Sequence, residues 1–314
     1  MRTFTMPGTD IVAPNIILGL MRIAEKSDEE VQALVHGARD NGIDFVDIAD
    51  VYGPTLHACE ARFAEAMHLT PSERDQVTIQ TKAGIVPEEG DAAYFDFSYE
   101  HIMASVEGSL KALRTDRIDI LLLHRPDALV EPDEVARAFD ELHADGKVRF
   151  FGVSNHTPRQ IDLLKKSVAQ PLVANQMQLS ITHSPLIAQG VAANMSGLEQ
   201  SVTLDGGGLL DYCRLNHITV QAWSPFQAGF FDGVFLGSER FPELNAAIDR
   251  IAAAHGVPPA AVATGWITRH PAGMQVVLGT TTPSRVADSA QGSELPLTRS
   301  EWYELFRTSG HRVP

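Results

Sequence analysis

Ile16-Ile17-Leu18-Gly19-Leu20 reads as a first buried strand, and Met21-Arg22-Ile23 directly after it decides the fold. An open, doubly wound sheet that binds a dinucleotide carries a G-x-G-x-x-G turn at that point, where backbone amides meet the pyrophosphate. No such turn stands here. Further short, β-branched runs follow at Asp44–Ala49, Val77–Lys82, Ile118–Leu123, Arg149–Ser154, Leu172–Gln178, Ile218–Trp223 and Met274–Leu278. Helical patterns lie between them at Asp28–Asp40, His57–Met67, Tyr99–Leu113, Glu131–Asp145, Pro158–Lys166 and Pro242–His255. Eight strand candidates alternating with helices predict βαβ units closing as a (β/α)8 barrel, with all 314 residues forming one domain.

Punctuation agrees with that pattern. Asn41-Gly42 and Asp145-Gly146 follow helical stretches and suit C-terminal caps that need positive φ. Arg2–Pro14, with a Pro7-Gly8 turn, predicts a small hairpin plugging the barrel bottom. Gln189–Gly208 is long and weakly patterned; following the sixth strand, it is expected on the C-terminal face as a covering loop, with a plain surface insertion as the alternative.

Composition narrows the partners. The chain has 25 Lys and Arg against 40 Asp and Glu, a formal charge of −15. So acidic a surface repels phosphate backbones and anionic lipid, so neither nucleic acid nor membrane is an expected partner. An anionic cofactor would need a local basic or dipolar cradle. Two cysteines, Cys59 and Cys213, provide no disulfide framework and suit a reducing compartment. The apolar run Ile16–Met21 follows Pro14-Asn15 and precedes no small-residue cleavage site, so a cytoplasmic protein without signal peptide is expected.

Barrel enzymes gather working groups at the C-terminal ends of strands. Here the second strand ends in Asp47-Ile48-Ala49-Asp50-Val51-Tyr52-Gly53, the third in Thr81-Lys82-Ala83-Gly84 and the fourth in Leu123-His124-Arg125-Pro126. A tyrosine titrates near pH 10, an ammonium beside it favours the tyrosinate, and a carboxylate holds that ammonium in place. Tyr52, Lys82 and Asp47 form such a chain, and a neutral His124 can orient a carbonyl and steady negative charge on its oxygen. Taken singly each has a bland reading: Asp47 a turn acceptor, Lys82 solvated, His124 a core histidine, Tyr52 loop packing. Their convergence favours the chemical reading.

These blocks resemble the aldo-keto reductase family. Asp47-Ile48-Ala49-Asp50-Val51-Tyr52-Gly53 is similar to its D-T-A-x-x-Y-G motif. Thr81–Gly84, Leu122–Pro126, Gly146–Arg149, Gly152–Asn155, Asn175-Gln176, Ala222–Pro225 and Gly279–Arg285 are similar to further family blocks in their usual order. The resemblance runs from about Leu18 to Ser289, closest to bacterial oxidoreductases with an H-R-P-D sequence and a tail ending in Val-Pro. It implies the same four catalytic residues and NADPH as cofactor, with NADH second. It further implies that Ser154, Asn155 and Gln176 hold the nicotinamide carboxamide, and that Trp223, followed by Ser224, stacks on the ring. Gly279, Thr280 and Thr281 would meet the phosphates, and Arg285 the 2′-phosphate. Gly279 stands where many relatives have lysine, which moderates the NADPH preference.

Other departures set further expectations. Ile48 replaces the usual threonine. Asp50, if close to Tyr52, would raise its pKa. Arg125 is expected to pair with Asp127, the alternative being an anionic substrate group, and Cys59 to be buried. The short tail Thr308–Pro314 suggests an open pocket. The reading is reduction of an aldehyde or ketone, metal-free, with a small-molecule carbonyl as partner; a cofactor-binding regulatory barrel with little turnover is the alternative. Schiff-base chemistry at Lys82 or metal binding at Asp47, Asp50 and His124 is a third reading, unsupported by any strong ligand spacing.

Overall fold

The computed structural model describes residues 1–88, 93–193, 195–197, 199–201, 207–230 and 232–314. Its strands, in chain order, begin with β1 (Thr3–Thr5), β2 (Val12–Pro14), β3 (Ile16–Gly19), β4 (Phe45–Asp47), β5 (Thr78–Ala83) and β6 (Ile85–Pro87). They continue with β7 (Ala93–Phe95), β8 (Ile118–Leu123), β9 (Val148–Ser154), β10 (Leu172–Gln178), β11 (Thr219–Trp223) and β12 (Gln275–Leu278). The helices run α1 (Asp28–Asp40), α2 (Ala58–Met67), α3 (Pro71–Arg74), α4 (Tyr99–Leu113), α5 (Pro132–Ala144) and α6 (Pro158–Leu164). Then come α7 (Pro185–Val191), α8 (Leu209–Leu215), α9 (Pro242–His255), α10 (Pro259–Thr268), α11 (Pro283–Ala290) and α12 (Arg299–Thr308).

Eight parallel strands close on themselves in the order β3-β4-β5-β8-β9-β10-β11-β12, with β12 returning to pair with β3. Each of the eight predicted strands is present within two residues of its expected ends. They are buried on both faces because helices cover the outside and side chains fill the inside. Ile16, Leu18, Val46, Leu121 and Leu123 face the helices, joining Val31, Phe63, Val106 and Phe139 in the outer core. Ile17, Phe45, Ile120, Leu122, Val173 and Val277 fill the interior.

The predicted hairpin is β1 paired antiparallel with β2. It sends Met6, Ile11 and Ala13 into that interior cluster, closing the bottom of the barrel. Gly42 (φ 76) and Gly146 (φ 70) take up the positive φ expected at the ends of α1 and α5. A second hairpin, β6 with β7, follows β5 and was not expected; Ile85, Val86 and Tyr94 carry no turn signal that separates it from a loop.

The expected covering loop Gln189–Gly208 lies partly outside the described residues. Residues 194, 198 and 202–206 lie outside the described ones, and none of the described residues of this stretch lines the cleft at the barrel mouth. The stretch is instead tied to the chain end. Gln200 donates from Nε2 to the carbonyl of Arg312 at 2.8 Å and accepts from its amide at 2.7 Å. Ser184 Oγ and His311 Nε2 lie 2.8 Å apart. These bonds tie the described part of the segment to the carboxyl tail. Among the described residues no helix is long and apolar enough to cross a membrane.

Candidate active site

Parallel register brings the polar strand ends together. Asp47 lies beside Gln80, Lys82 beside Leu122, and Gln176 beside Ser154. Asp47 and Lys82 are both inward-facing ends, and the ammonium of Lys82 donates to Asp47 Oδ2 at 2.7 Å and to the carbonyl of Ile48 at 2.8 Å. Asp47 Oδ1 accepts from Gln80 at 2.6 Å and from Gln176 at 2.9 Å. Lys82 is fully buried, yet its carboxylate and carbonyl acceptors satisfy it, as a buried charge requires.

Tyr52 stands above this pair, its ring centroid 5.0 Å from Lys82 Nζ. His124 approaches the same ring edge-on, with centroids 5.6 Å apart. Burial pushes the Tyr52 phenol above its ordinary pKa, and the pull of Lys82 does not reverse it. The expected lowering by Lys82 is thus corrected in net direction, because desolvation is the larger effect. Burial alone would lower Lys82, but Asp47 and Tyr52 outweigh it and hold the ammonium above its usual range. Burial, aided by Lys82 and Arg125, drives His124 well below its ordinary value, so the imidazole is neutral. Its Nδ1 has no hydrogen-bond partner among the described residues.

Asp50 does not act on Tyr52 as expected. It is turned to the outside of the barrel with Glu60 and His57, and burial beside Glu60 raises its carboxyl to about 7. Glu60 is fully buried; it accepts from Thr81 Oγ1 at 2.5 Å and stands 2.6 Å from His57 Nδ1. This acid-histidine brace escaped the sequence reading. Glu60 sits on α2 and His57 caps its start, and their only signal was charge where α2 should be apolar. Cys59 is buried, and burial raises its thiol.

Tyr52, Asp47 and His124 open on a cleft of about 870 Å³. Ser154, Asn155, Gln176, Trp223, Ser224, Gly279, Thr280, Thr281 and Arg285 line it too, while Lys82 lies just behind. Asn155 (φ 60) accepts from Trp223 Nε1 at 3.1 Å and donates to Ser154 Oγ at 2.8 Å; Ser154 in turn donates to the Gln176 carbonyl at 2.9 Å. This ring of bonds fixes the Trp223 indole at the cleft wall. At the far end Thr282 and Pro283 start α11, and Arg285 stands in its first turn. Arg22, Arg125 and Arg285 line the cleft with Asp47, Asp249 and Asp288, Asp47 being paired with Lys82.

The expected ion pair of Arg125 with Asp127 is not formed. Asp127 instead accepts from the amides of Phe97 at 3.0 Å and Leu129 at 2.8 Å, and Arg125 lies over the rings of Trp223 and Phe230. Two backbone donors within the aspartate's own short reach capture it first. Among the described residues, no three His, Cys, Asp or Glu side chains gather as metal ligands.

A closed parallel barrel whose polar side chains converge at the C-terminal strand ends is the architecture of a barrel enzyme. Residues 15–307 match the Aldo/keto reductase family, and the chain belongs to it. It is therefore an oxidoreductase of the type that joins a nicotinamide cofactor to a small carbonyl substrate. The chain is 34% identical over 300 residues to a 6-dehydroglucose reductase of Agrobacterium fabrum (strain C58), covering 93% of this chain and 92% of that protein. It is 33% identical over 312 residues to Oxidoreductase YdhF of Escherichia coli (strain K12), covering 95% and 94%. The fold is similar to that of the glycerol dehydrogenase AKR11B4 from Gluconobacter oxydans, with a TM-score of 0.76, 24% identity, and coverage of 98% and 94%.

Proposed function

We propose that the protein reduces an aldehyde or ketone to the alcohol, with NADPH as preferred cofactor and Tyr52 as proton donor. One arrangement carries this reading: a buried phenol beside the Lys82–Asp47 pair, facing neutral His124 across a cleft walled by Trp223. The residues present fit the cofactor. Trp223 offers a flat wall for a ring, and Gln176 keeps Oε1 free of protein donors among the described residues. Thr280, Thr281 and the α11 terminus offer donors to phosphate, with Arg285 matched to a 2′-phosphate. Bound there, the cofactor would supply hydride to the carbonyl carbon.

The protein's own groups handle the oxygen. His124, neutral, offers one N–H to the carbonyl oxygen and fixes its direction. Tyr52 is protonated at neutral pH, as an ordinary phenol is and as burial reinforces, and transfers that proton as negative charge develops on the oxygen. Lys82 lies close enough to stabilise the phenolate left behind, and Asp47 keeps Lys82 in place. Relatives named as 6-dehydroglucose reductases make a polar aldehyde a natural first substrate to test. The two buried free cysteines suit a reducing, cytoplasmic setting.

The test is NADPH oxidation with a panel of aldehydes and ketones, for wild type and Tyr52→Phe. Loss of a positioned acid costs about 100- to 10,000-fold in turnover. Tyr52→Phe should show that loss while still binding NADPH, read by quenching of tryptophan fluorescence. Turnover surviving the substitution would assign the proton to another group.

A further inference from the structure

Arg125 lines the cleft half-buried, and no carboxylate answers its charge among the described residues, whereas the cleft's other unpaired arginines, Arg22 and Arg285, are exposed to water. Four of the other five arginines withdrawn from water have one: Arg74 with Asp119 at 2.9 Å, Arg117 with Asp75 at 2.5 Å, Arg149 with Asp119 at 3.0 Å, and Arg62 with Asp28; the fifth, Arg39, donates to Gln76 at 2.9 Å. In a chain with 40 acidic residues, a carboxylate partner is easily supplied. Asp127, two residues on, is committed to the amides of Phe97 and Leu129. Arg125 is instead half-buried, with its guanidinium carbon 5.5 Å from the Trp223 ring centroid and 5.9 Å from that of Phe230. Aromatic faces answer a cation's charge but leave its in-plane N–H donors unused, and an arginine has five of them.

Its position defines what those donors can meet. Arg125 follows His124 in the chain and lines the same cleft as Tyr52. The other buried cation here, Lys82, is neutralised by Asp47. A molecule whose carbonyl reaches Tyr52 and His124 therefore meets the forked cation of Arg125, the chain neighbour of His124, on the same cleft.

We propose that Arg125 is the specificity-determining residue of the substrate pocket and selects carbonyl compounds bearing a carboxylate near the reacting carbon. This rests on the carbonyl-reduction reading for its substrate but not for its site. The carboxylate takes a bidentate bond from the guanidinium, whose planar fork matches it, while Trp223 and Phe230 hold the fork in place.

Matched pairs test it: succinic semialdehyde against butanal, and 4-carboxybenzaldehyde against 4-methylbenzaldehyde, with NADPH. A charge-assisted bidentate bond should favour the carboxylated member of each pair about 10- to 100-fold in kcat/KM. Arg125→Met should collapse that ratio toward one. Arg125→Lys, which keeps the charge and loses the fork, should fall between. Equal ratios in wild type and Arg125→Met, or a wild-type preference for the neutral member, overturn the proposal. So does weakened NADPH binding in Arg125→Met with the ratio intact, which would assign the arginine to the cofactor.

Calorimetry with 4-carboxybenzyl alcohol and 4-methylbenzyl alcohol, on the protein alone and with NADP+, reads the site without turnover. Tighter, Arg125-dependent binding of the carboxylated alcohol supports the anion site even if no aldehyde is reduced, in which case only the reaction assignment fails. Equal binding of the two alcohols overturns the anion site and leaves carbonyl reduction standing.

Discussion

Gln176 donates from Nε2 to Asp47 Oδ1 at 2.9 Å, joining the wall of the cleft to the acid that holds Lys82. The bond is one strand of a longer chain. Gln221 Nε2 donates to Gln80 and to Gln275, each at 3.1 Å, and Gln275 donates to the carbonyl of Pro14 at 2.7 Å. Polar groups thus run through the barrel interior from the bottom hairpin to the site. With every member buried, each bond left unmade is costly, which fixes Asp47 in one rotamer.

Asp47→Asn should test that rigidity. It leaves the Lys82 ammonium buried without a counter-charge, which typically costs about 3–5 kcal/mol. Urea unfolding should show this loss, and Asp47→Asn with Lys82→Met should be more stable than Asp47→Asn alone. A double variant as unstable as the sum of the singles would mean the pair is not coupled.

The cluster behind Tyr52 should make stability depend on pH. Asp50 has its carboxyl raised to about 7 by burial and Glu60, so the folded state holds a proton that the unfolded chain releases above pH 4. Its contribution is therefore lost as pH rises from about 4 to about 7. His57 is raised chiefly by its hydrogen bond to Glu60, so its contribution is present below its unfolded value and also lost as pH rises. Both slopes have the same sign. Wild type should unfold at lower urea at pH 8 than at pH 5.5, and Asp50→Asn should flatten that difference; an unchanged slope in the variant would remove Asp50 from the account.

Gly108, inside α4, should resist the usual benefit of alanine. A Cβ there would lie 2.2 Å from Nε2 of His57, whose other ring nitrogen is tied to Glu60 at 2.6 Å. Helix propensity favours alanine over glycine by about 1 kcal/mol, but displacing His57 costs more through a charged hydrogen bond worth about 1.5–3 kcal/mol. Gly108→Ala should lower the melting temperature in wild type and raise it in a His57→Ala background. The same sign in both backgrounds would contradict the contact.

Arg285→Ala should separate the two nicotinamide cofactors. If Arg285 meets a 2′-phosphate, its removal weakens NADPH binding about 10- to 100-fold and NADH hardly at all. The starting preference should be moderate, since Gly279 leaves open space where a lysine would add a second cation. Fluorescence titration with both cofactors reads the difference, and equal weakening would move Arg285 away from that phosphate.

Strand periodicity and the motif at Asp47–Gly53 made the barrel and the four residues at its mouth legible before any coordinates, because parallel strands must bring their C-terminal ends to one rim. The hairpin was legible too, from Pro7-Gly8 between short runs. The β6–β7 hairpin, the Glu60–His57 brace and the glutamine chain were not: each depends on partners 21 to 261 residues apart or on pairing that local propensity does not encode.

The sequence by itself determined the strand count, the family motifs and the residue types offered to the cleft. Only tertiary structure decided how those groups stand to one another. Burial, which no single residue specifies, sets Tyr52 above its ordinary pKa despite Lys82. It also turns Asp50 toward Glu60, and competition for Asp127 leaves Arg125 facing the cleft. Spacing along a chain states which groups are available. Desolvation and competition for hydrogen bonds, which exist only once the chain is packed, state which of them are charged and free.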